Sequence, residues 1–305
     1  MNLDILNIIS DRLNENIQVS NFNFHFGRYP RKFFLSNFIC DKEDKVILCS
    51  HAIDEAILKS LNILPANLLV ALTNDLNPSV SAYNVHKAKC RSVFHIKLYI
   101  TINRSKNINL VIGSANLTTR AFDFNYESLC SLLITENSAN EVKNIACQAI
   151  KSLFILNPLV AQSITDYIPS WIALESDGNC SKHCSMIYID NLKESLWQQI
   201  VNFADKEFIN YAIAISPVYD NEGSTLTDYL NSSTISTKCI SQNDFGDNSI
   251  FFHPKVYLFQ SAKHTLVFIG SPNNSIHSFF SFGKEIAENG IIFKTKRIFF
   301  KNLPF

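Results

Sequence analysis

The chain of 305 residues is 47% hydrophobic and 18% charged, a balance that supports a sizeable buried core and excludes an intrinsically disordered protein. Its length allows one large domain or two of ordinary size. Lys and Arg together number 27, as do Asp and Glu, so the formal net charge is zero. A broadly basic surface for wrapping a polynucleotide is thereby excluded, and any such contact falls to local patches.

In chain order, the first eleven residues hold Asp4 and Asp11 and no basic side chain, unlike a secretory signal. No apolar run reaches the roughly 18 residues of a membrane span. The expectation is a cytoplasmic protein without a membrane partner. Lys45–Cys49 reads as a strand, residues 52–61 as a helix with apolar positions at helical spacing, and residues 68–72 as a second strand. Strands follow at 93–100 and 110–112, and a helix over 141–154 closes the first half. Residues 157–190, with Pro158, Pro169 and Gly178, read as a connection. The second half offers a helix over 192–203 and strands at Tyr211–Ile215, Ser236–Ile240, 251–258 and 266–269. Strands alternating with helices predict an α/β fold, divided into residues 1–160 and 161–305.

The two halves repeat one another. Residues 93–100, containing His95 and Lys97, are echoed by 251–258, containing His253 and Lys255. Downstream, Gly113, Ser114 and Asn116 are echoed by Gly270, Ser271 and Asn273. Seventeen residues separate Lys97 from Ser114 and sixteen separate Lys255 from Ser271, so type, order and spacing are kept together, as duplication would keep them. On a strand, His95, Lys97 and Tyr99 share one face and Phe94, Ile96, Leu98 and Ile100 the other. His253, Lys255 and Tyr257 repeat the pattern, with the tyrosines expected to pack. Pro254 cannot donate to a ladder and predicts an edge or an irregularity there.

Eight cysteines scattered through the chain read as free thiols. Cys180, His183 and Cys184 form one tight group, read as incidental rather than a zinc site because no second ligand pair lies nearby. Three basic clusters (Arg28, Arg31 and Lys32; Lys87, Lys89 and Arg91; Lys294, Lys296 and Arg297) read first as solvated surface. The aromatic and basic stretch 26–34 is the most suggestive of a nucleic-acid contact. The histidines at 25, 51, 86, 183, 264 and 277 read as ordinary residues.

Two copies of His-x-Lys, each followed by Gly-Ser-x-Asn, resemble the phospholipase D superfamily. The resemblance implies two similar α/β halves related by a pseudo-two-fold, each a mixed sheet flanked by helices, with one active site at their interface. It implies a cofactor-free, metal-independent double displacement at phosphorus. His95 would be the nucleophile and His253 the general acid. Lys97 and Lys255 would bind the phosphate oxygens with Asn116 and Asn273, while Ser114 and Ser271 shape or line the same pocket. Glu127 and Glu288 stand where the superfamily places a carboxylate behind each histidine, with Glu285 the rival to Glu288.

The fuller motif has an Asp past each lysine, where this chain has Ile102 and Gln260. That departure places the resemblance on the nuclease and tyrosyl-DNA phosphodiesterase side of the superfamily. The expected activity is DNA cleavage, in the manner of compact nucleases of restriction and anti-phage defence, with a helicase or ATPase as partner. The competing readings are a phospholipase or phosphatidyl transferase and a non-catalytic nucleic-acid-binding subunit.

Overall fold

The computed structural model describes residues 11, 21–38, 41–174, 184–204, 207–217, 225–245, 250–283 and 286–296. The first sheet is built from β1 (Phe22–Arg28), β2 (Lys45–Cys49), β3 (Leu68–Thr73), β4 (Val85–Lys87), β6 (Leu98–Ile102), β7 (Ile108–Gly113) and β8 (Tyr126–Ile134). Their order is β1-β8-β7-β6-β2-β3-β4. The second sheet comprises β9 (Met186–Asp190), β10 (Tyr211–Ile215), β11 (Ser236–Ile240), β12 (Val256–Gln260), β13 (His264–Gly270) and β15 (Asn289–Lys296), in the order β11-β10-β12-β13-β15-β9. Read from the opposite edge, the second order reproduces the first without β4. The repeat in the sequence is therefore a repeat of topology.

Two short pieces, β5 (Val93–Phe94) and β14 (Ile286–Ala287), pair with each other across the halves. The same crossing recurs as a bridge between Tyr126 and Phe252. Residues 93–100, expected as one strand, thus divide between two partners. Val93–Phe94 pairs with the second half, and Leu98–Ile102 enters the first sheet. Pro254 lies at the equivalent switch, after the bridge at Phe252 and before β12, where no ladder donor is needed.

The alternation read from the sequence sorts side chains into three cores. Leu98 and Ile100 share a central core with Val256 and Leu258, so the two sheets bury a common face. Ile145, Ile150 and Leu153 of the long helix Asn140–Leu156 join it. Tyr99 faces outward onto Phe34 of helix Pro30–Phe38, Ile57 of Glu55–Ser60 and Phe122 of Thr119–Asp123. Tyr257 does the same with Ile200 of Leu196–Phe203, Leu230 of Leu226–Ser232 and Phe279 of Ile276–Phe280. Both tyrosines are fully buried, and their hydroxyls donate to the carbonyls of Ala115 (2.6 Å) and Pro272 (2.8 Å). Burying an aromatic ring of this size is worth roughly 1.5–3 kcal/mol.

Three expectations differ from the structure. The helix read at 52–61 spans only Glu55–Ser60, because Ile53 bridges Leu117 and the Asp54 N–H donates to the Leu117 carbonyl (2.8 Å). The helix read at 192–203 starts at Leu196, where the Ser195 hydroxyl accepts from the Gln198 N–H as an N-cap. The connection read at 157–190 contains the helix Pro158–Ile164 and ends in β9, which pairs with β15.

Candidate active site

The strand switch decides where the histidines go. After β5, the His95 N–H donates to the Ala287 carbonyl (2.9 Å), which sets His95 beside Glu288, the residue between β14 and β15. In mirror fashion the His253 N–H donates to the Tyr126 carbonyl (2.9 Å), next to Glu127. Each histidine therefore meets the carboxylate of the other half. His95 Nδ1 lies 3.1 and 3.0 Å from the two oxygens of Glu288, and His253 Nδ1 lies 3.1 and 3.0 Å from those of Glu127. A buried carboxylate accepts, so Nδ1 carries the proton and Nε2 is left for chemistry in both rings.

Each carboxylate is itself held. The Ser114 hydroxyl donates to Glu127 and accepts from the Ser128 N–H (2.9 Å). Ser271 bridges Glu288 and the Asn289 N–H (2.9 Å) in the same way. Asn125 donates a further bond to Glu127 (2.9 Å) and Ser278 one to Glu288 (3.1 Å). The sequence reading has Ser114 and Ser271 shape or line the pocket. Here both are fully buried behind the carboxylates, and they orient the histidines through them. The glycines before these serines permit the close approach, since a methyl group at Gly113 would collide with the Ser128 carbonyl oxygen and one at Gly270 with that of Asn289.

Lys97 and Lys255 are fully buried. Their backbone N–H groups are anchored across the halves, to Asn289 Oδ1 (3.2 Å) and Ser128 Oγ (2.9 Å) respectively. Lys97 Nζ donates to the His95 carbonyl (2.7 Å). Lys255 Nζ lies 3.0 Å from the His253 carbonyl and 2.9 Å from His253 Nε2. Asn273 lines a cavity of about 320 Å³ beside His95, and the Oδ1 atoms of Asn273 and Asn116 find no partner among the described residues.

Burial governs the electrostatics. It pushes His95 down to about 3 and His253 down to about 4; the neighbouring carboxylates oppose this shift and the lysines add to it. Burial also lowers Lys255 to about 7 and takes Lys97 well below its ordinary value. Burial opposes ionisation of Glu127 and Glu288, yet the facing histidine and lysine charges hold both carboxyls below their ordinary value. With neutral imidazoles, the two lysines balance the two carboxylates only when both are protonated.

His51 was read as ordinary. It lines the same cavity, with its ring edge-on to His95 at 5.9 Å between centroids and its Nδ1 3.0 Å from the Phe94 carbonyl. Aligning β2 with β10 matches Ser50 to Ser216 and His51 to Pro217, which is the signal that could have singled it out. His277 lines the cavity as well.

Other sequence readings lie apart from the site. Arg31 is paired with Asp123 (2.7 Å), and Lys87 lies 3.7 Å from Asp75. Glu285, Cys180, His183 and Arg297 fall outside the described residues. Among the described residues no three His, Cys, Asp or Glu side chains form a group suited to a metal ion. No described helix is long and apolar enough to cross a membrane.

No protein-family model and no curated protein matches the sequence. Solved structures do match. Yeast tyrosyl-DNA phosphodiesterase is 11% identical over 92% of this chain and 90% of its own, with a TM-score of 0.55. Phosphatidylserine synthase of Haemophilus influenzae Rd KW20 is 10% identical over 96% of this chain and 87% of its own, with a TM-score of 0.52. Polyphosphate kinase from Porphyromonas gingivalis is 9% identical over 89% of this chain and 44% of its own, also with a TM-score of 0.52. All three belong to the phospholipase D superfamily, and this chain has their fold.

Proposed function

We propose, from a phospholipase D fold with two complete half-sites, that this protein is a metal-independent phosphodiesterase that cleaves nucleic acid through a phosphohistidine intermediate. The observation that carries the reading is the crossed pair of buried His–Glu contacts, which commits both Nδ1 atoms, leaving Nε2 of His95 for a phosphate and Nε2 of His253 beside Lys255.

His95 is the nucleophile. Its ring borders the cavity, whereas His253 Nε2 is engaged by Lys255. The Nε2 lone pair of His95 attacks phosphorus, and the bond to the leaving oxygen breaks as that oxygen takes a proton from His253. Water then attacks the phosphohistidine and gives its proton to His253, and the bond to His95 breaks. Lys97 and Lys255 neutralise the non-bridging oxygens throughout, with Asn116 and Asn273 as further donors.

Charge balance accounts for the required proton. When both lysines are protonated they cancel the two carboxylates, and a phosphodiester monoanion entering the site is then neutralised by one imidazolium. Substrate thereby raises the affinity of His253 for the proton that burial had weakened.

A nucleic-acid substrate is supported by the departures at Ile102 and Gln260 and by the fold shared with yeast tyrosyl-DNA phosphodiesterase. The lipid reading requires an apolar funnel; the cavity at His95 sets Val93 and Ile286 among His51, Asn273, Ser275, His277 and Ser278, so the choice between the two substrates falls to the assay. The test is to incubate the protein with labelled single- and double-stranded DNA, RNA and dispersed phospholipid, with EDTA throughout. Native protein cleaves nucleic acid, and His95→Ala and His253→Ala do not. Strict magnesium dependence, or cleavage by either variant at the native rate, overturns the reading.

A further inference from the structure

The two half-sites share a scaffold but differ at their mouths. Phe251 precedes His253 as Val93 precedes His95, and Arg120 follows the N-cap Thr118 as His277 follows the N-cap Ser275. Phe124 then corresponds to Ser281. Core positions match across the halves, Phe122 with Phe279 and Tyr99 with Tyr257, so packing does not demand the difference. At equivalent positions the His253 side carries two aromatic rings and a guanidinium. The His95 side carries an aliphatic side chain, an imidazole and a hydroxyl.

The aromatic side is continuous with the chemistry. The Phe251 ring is stacked on the His253 imidazole, 5.5 Å between centroids and 24° between planes. The Arg120 guanidinium lies 5.1 Å from the Phe251 centroid. Phe124 is 64% exposed, and its N–H donates to the Arg120 carbonyl (3.1 Å). Arg28 pairs with Tyr126, whose N–H donates to the Phe251 carbonyl (2.9 Å). Beside Arg28 stands Tyr29, 58% exposed and absent from every core cluster, with a left-handed backbone (φ 59°) that aromatic residues rarely adopt. Arg31 binds Asp123 and cancels that acid, leaving Arg28 and Arg120 in excess.

The geometry points to a nucleobase-binding subsite at the His253 mouth, formed by Arg28, Tyr29, Arg120, Phe124 and Phe251, that selects single-stranded polynucleotide. It rests on the phosphodiesterase reading and names its substrate. Exposed rings stack on the face of an unpaired base, a face that a duplex hides within its own stack. Guanidiniums bind the flanking phosphates and stack on base planes. A protein of zero net charge can hold a strand this way, because stacking replaces much of the electrostatic attraction a duplex binder needs.

The experiment is fluorescence anisotropy in EDTA, on a His95→Ala background that keeps the subsite native and does not cut the probe, with a labelled thymidine oligomer, an abasic oligomer of equal length, and a duplex. With the subsite native, the protein prefers the thymidine strand to both others. Phe124→Ala and Tyr29→Ala, both at exposed positions, each raise Kd for the thymidine strand roughly 5- to 150-fold, the effect of losing about 1–3 kcal/mol of base stacking. The preference over the abasic strand collapses with them, and Phe124→Trp retains it. Equal affinity of the native subsite for thymidine and abasic strands, or an equal loss on both in the variants, overturns the subsite. Parallel cleavage assays with His95 intact separate the two readings. Base-selective binding without turnover refutes the phosphodiesterase and spares the subsite, and equal cleavage of both strands does the reverse.

Discussion

Replacing Glu288 by Gln tests the crossed pairing directly. Glu288 is 1% exposed and accepts from Ser271, Ser278 and His95 Nδ1, so an amide of the same shape fits the site. Exchanging charge-assisted bonds for neutral ones costs about 1–2 kcal/mol of stability, which a domain of this size survives folded. The chemical cost is far larger. A Gln amide turned toward Nδ1 makes that atom the acceptor and moves the ring proton to Nε2, the position proposed to attack phosphorus. A carboxylate-to-amide change behind a catalytic histidine costs on the order of 10⁴ in kcat.

The pairing is read out with two substrates, an oligonucleotide and bis(4-nitrophenyl) phosphate, whose leaving group needs little protonation. Variants that impair the nucleophile lose activity equally on both; variants that impair the acid lose less on the nitrophenyl ester. Glu288→Gln is expected to match His95→Ala in this comparison, and Glu127→Gln to match His253→Ala. Glu288→Gln matching His253→Ala would refute the crossing, whichever histidine attacks.

Acid-quenched His253→Ala, incubated with a phosphodiester bearing a good leaving group, should carry phosphate on His95, and peptide mapping that finds it elsewhere reverses the assignment of roles. The pH profile of kcat/KM should be bell-shaped, since it reports the free enzyme. Activity falls on the acid side as His95 gains a proton near pH 3, and on the alkaline side as Lys255 loses its proton near pH 7. An alkaline limb near pH 10, where an ordinary lysine titrates, would contradict the burial argument. Gly113→Ala drives a methyl into rigid backbone at Ser128 and should cost about 1–3 kcal/mol. A thermal melt within one degree of the native protein would show that the strands can spread.

Much of this was legible in the sequence because the features are local or periodic. Alternation at 94–100 and 252–258 separated the central core from the outward tyrosines, and the spacing of the two motifs announced the duplicated topology. What was not legible depends on contacts distant in sequence. Nothing near His95 says that its carboxylate lies 193 positions away in the other half. The strand at 93–100 looks continuous because hydrophobic pattern does not encode a change of hydrogen-bonding partner. β9 was hidden in a stretch bounded by Pro158, Pro169 and Gly178. His51 is a lone polar residue at a strand end, and only comparison with Pro217 distinguishes it.

The exchange of carboxylates between halves bears on how such a chain arose. In a single repeat, the histidine and the glutamate would each reach toward a different neighbour, so one repeat completes the pairing only as two identical copies lending each other carboxylates. Identical copies must also present identical walls to the substrate. Joining them in one polypeptide removed that constraint, and each mouth was then free to take on its own character: Pro217 opposite His51, Phe251 opposite Val93.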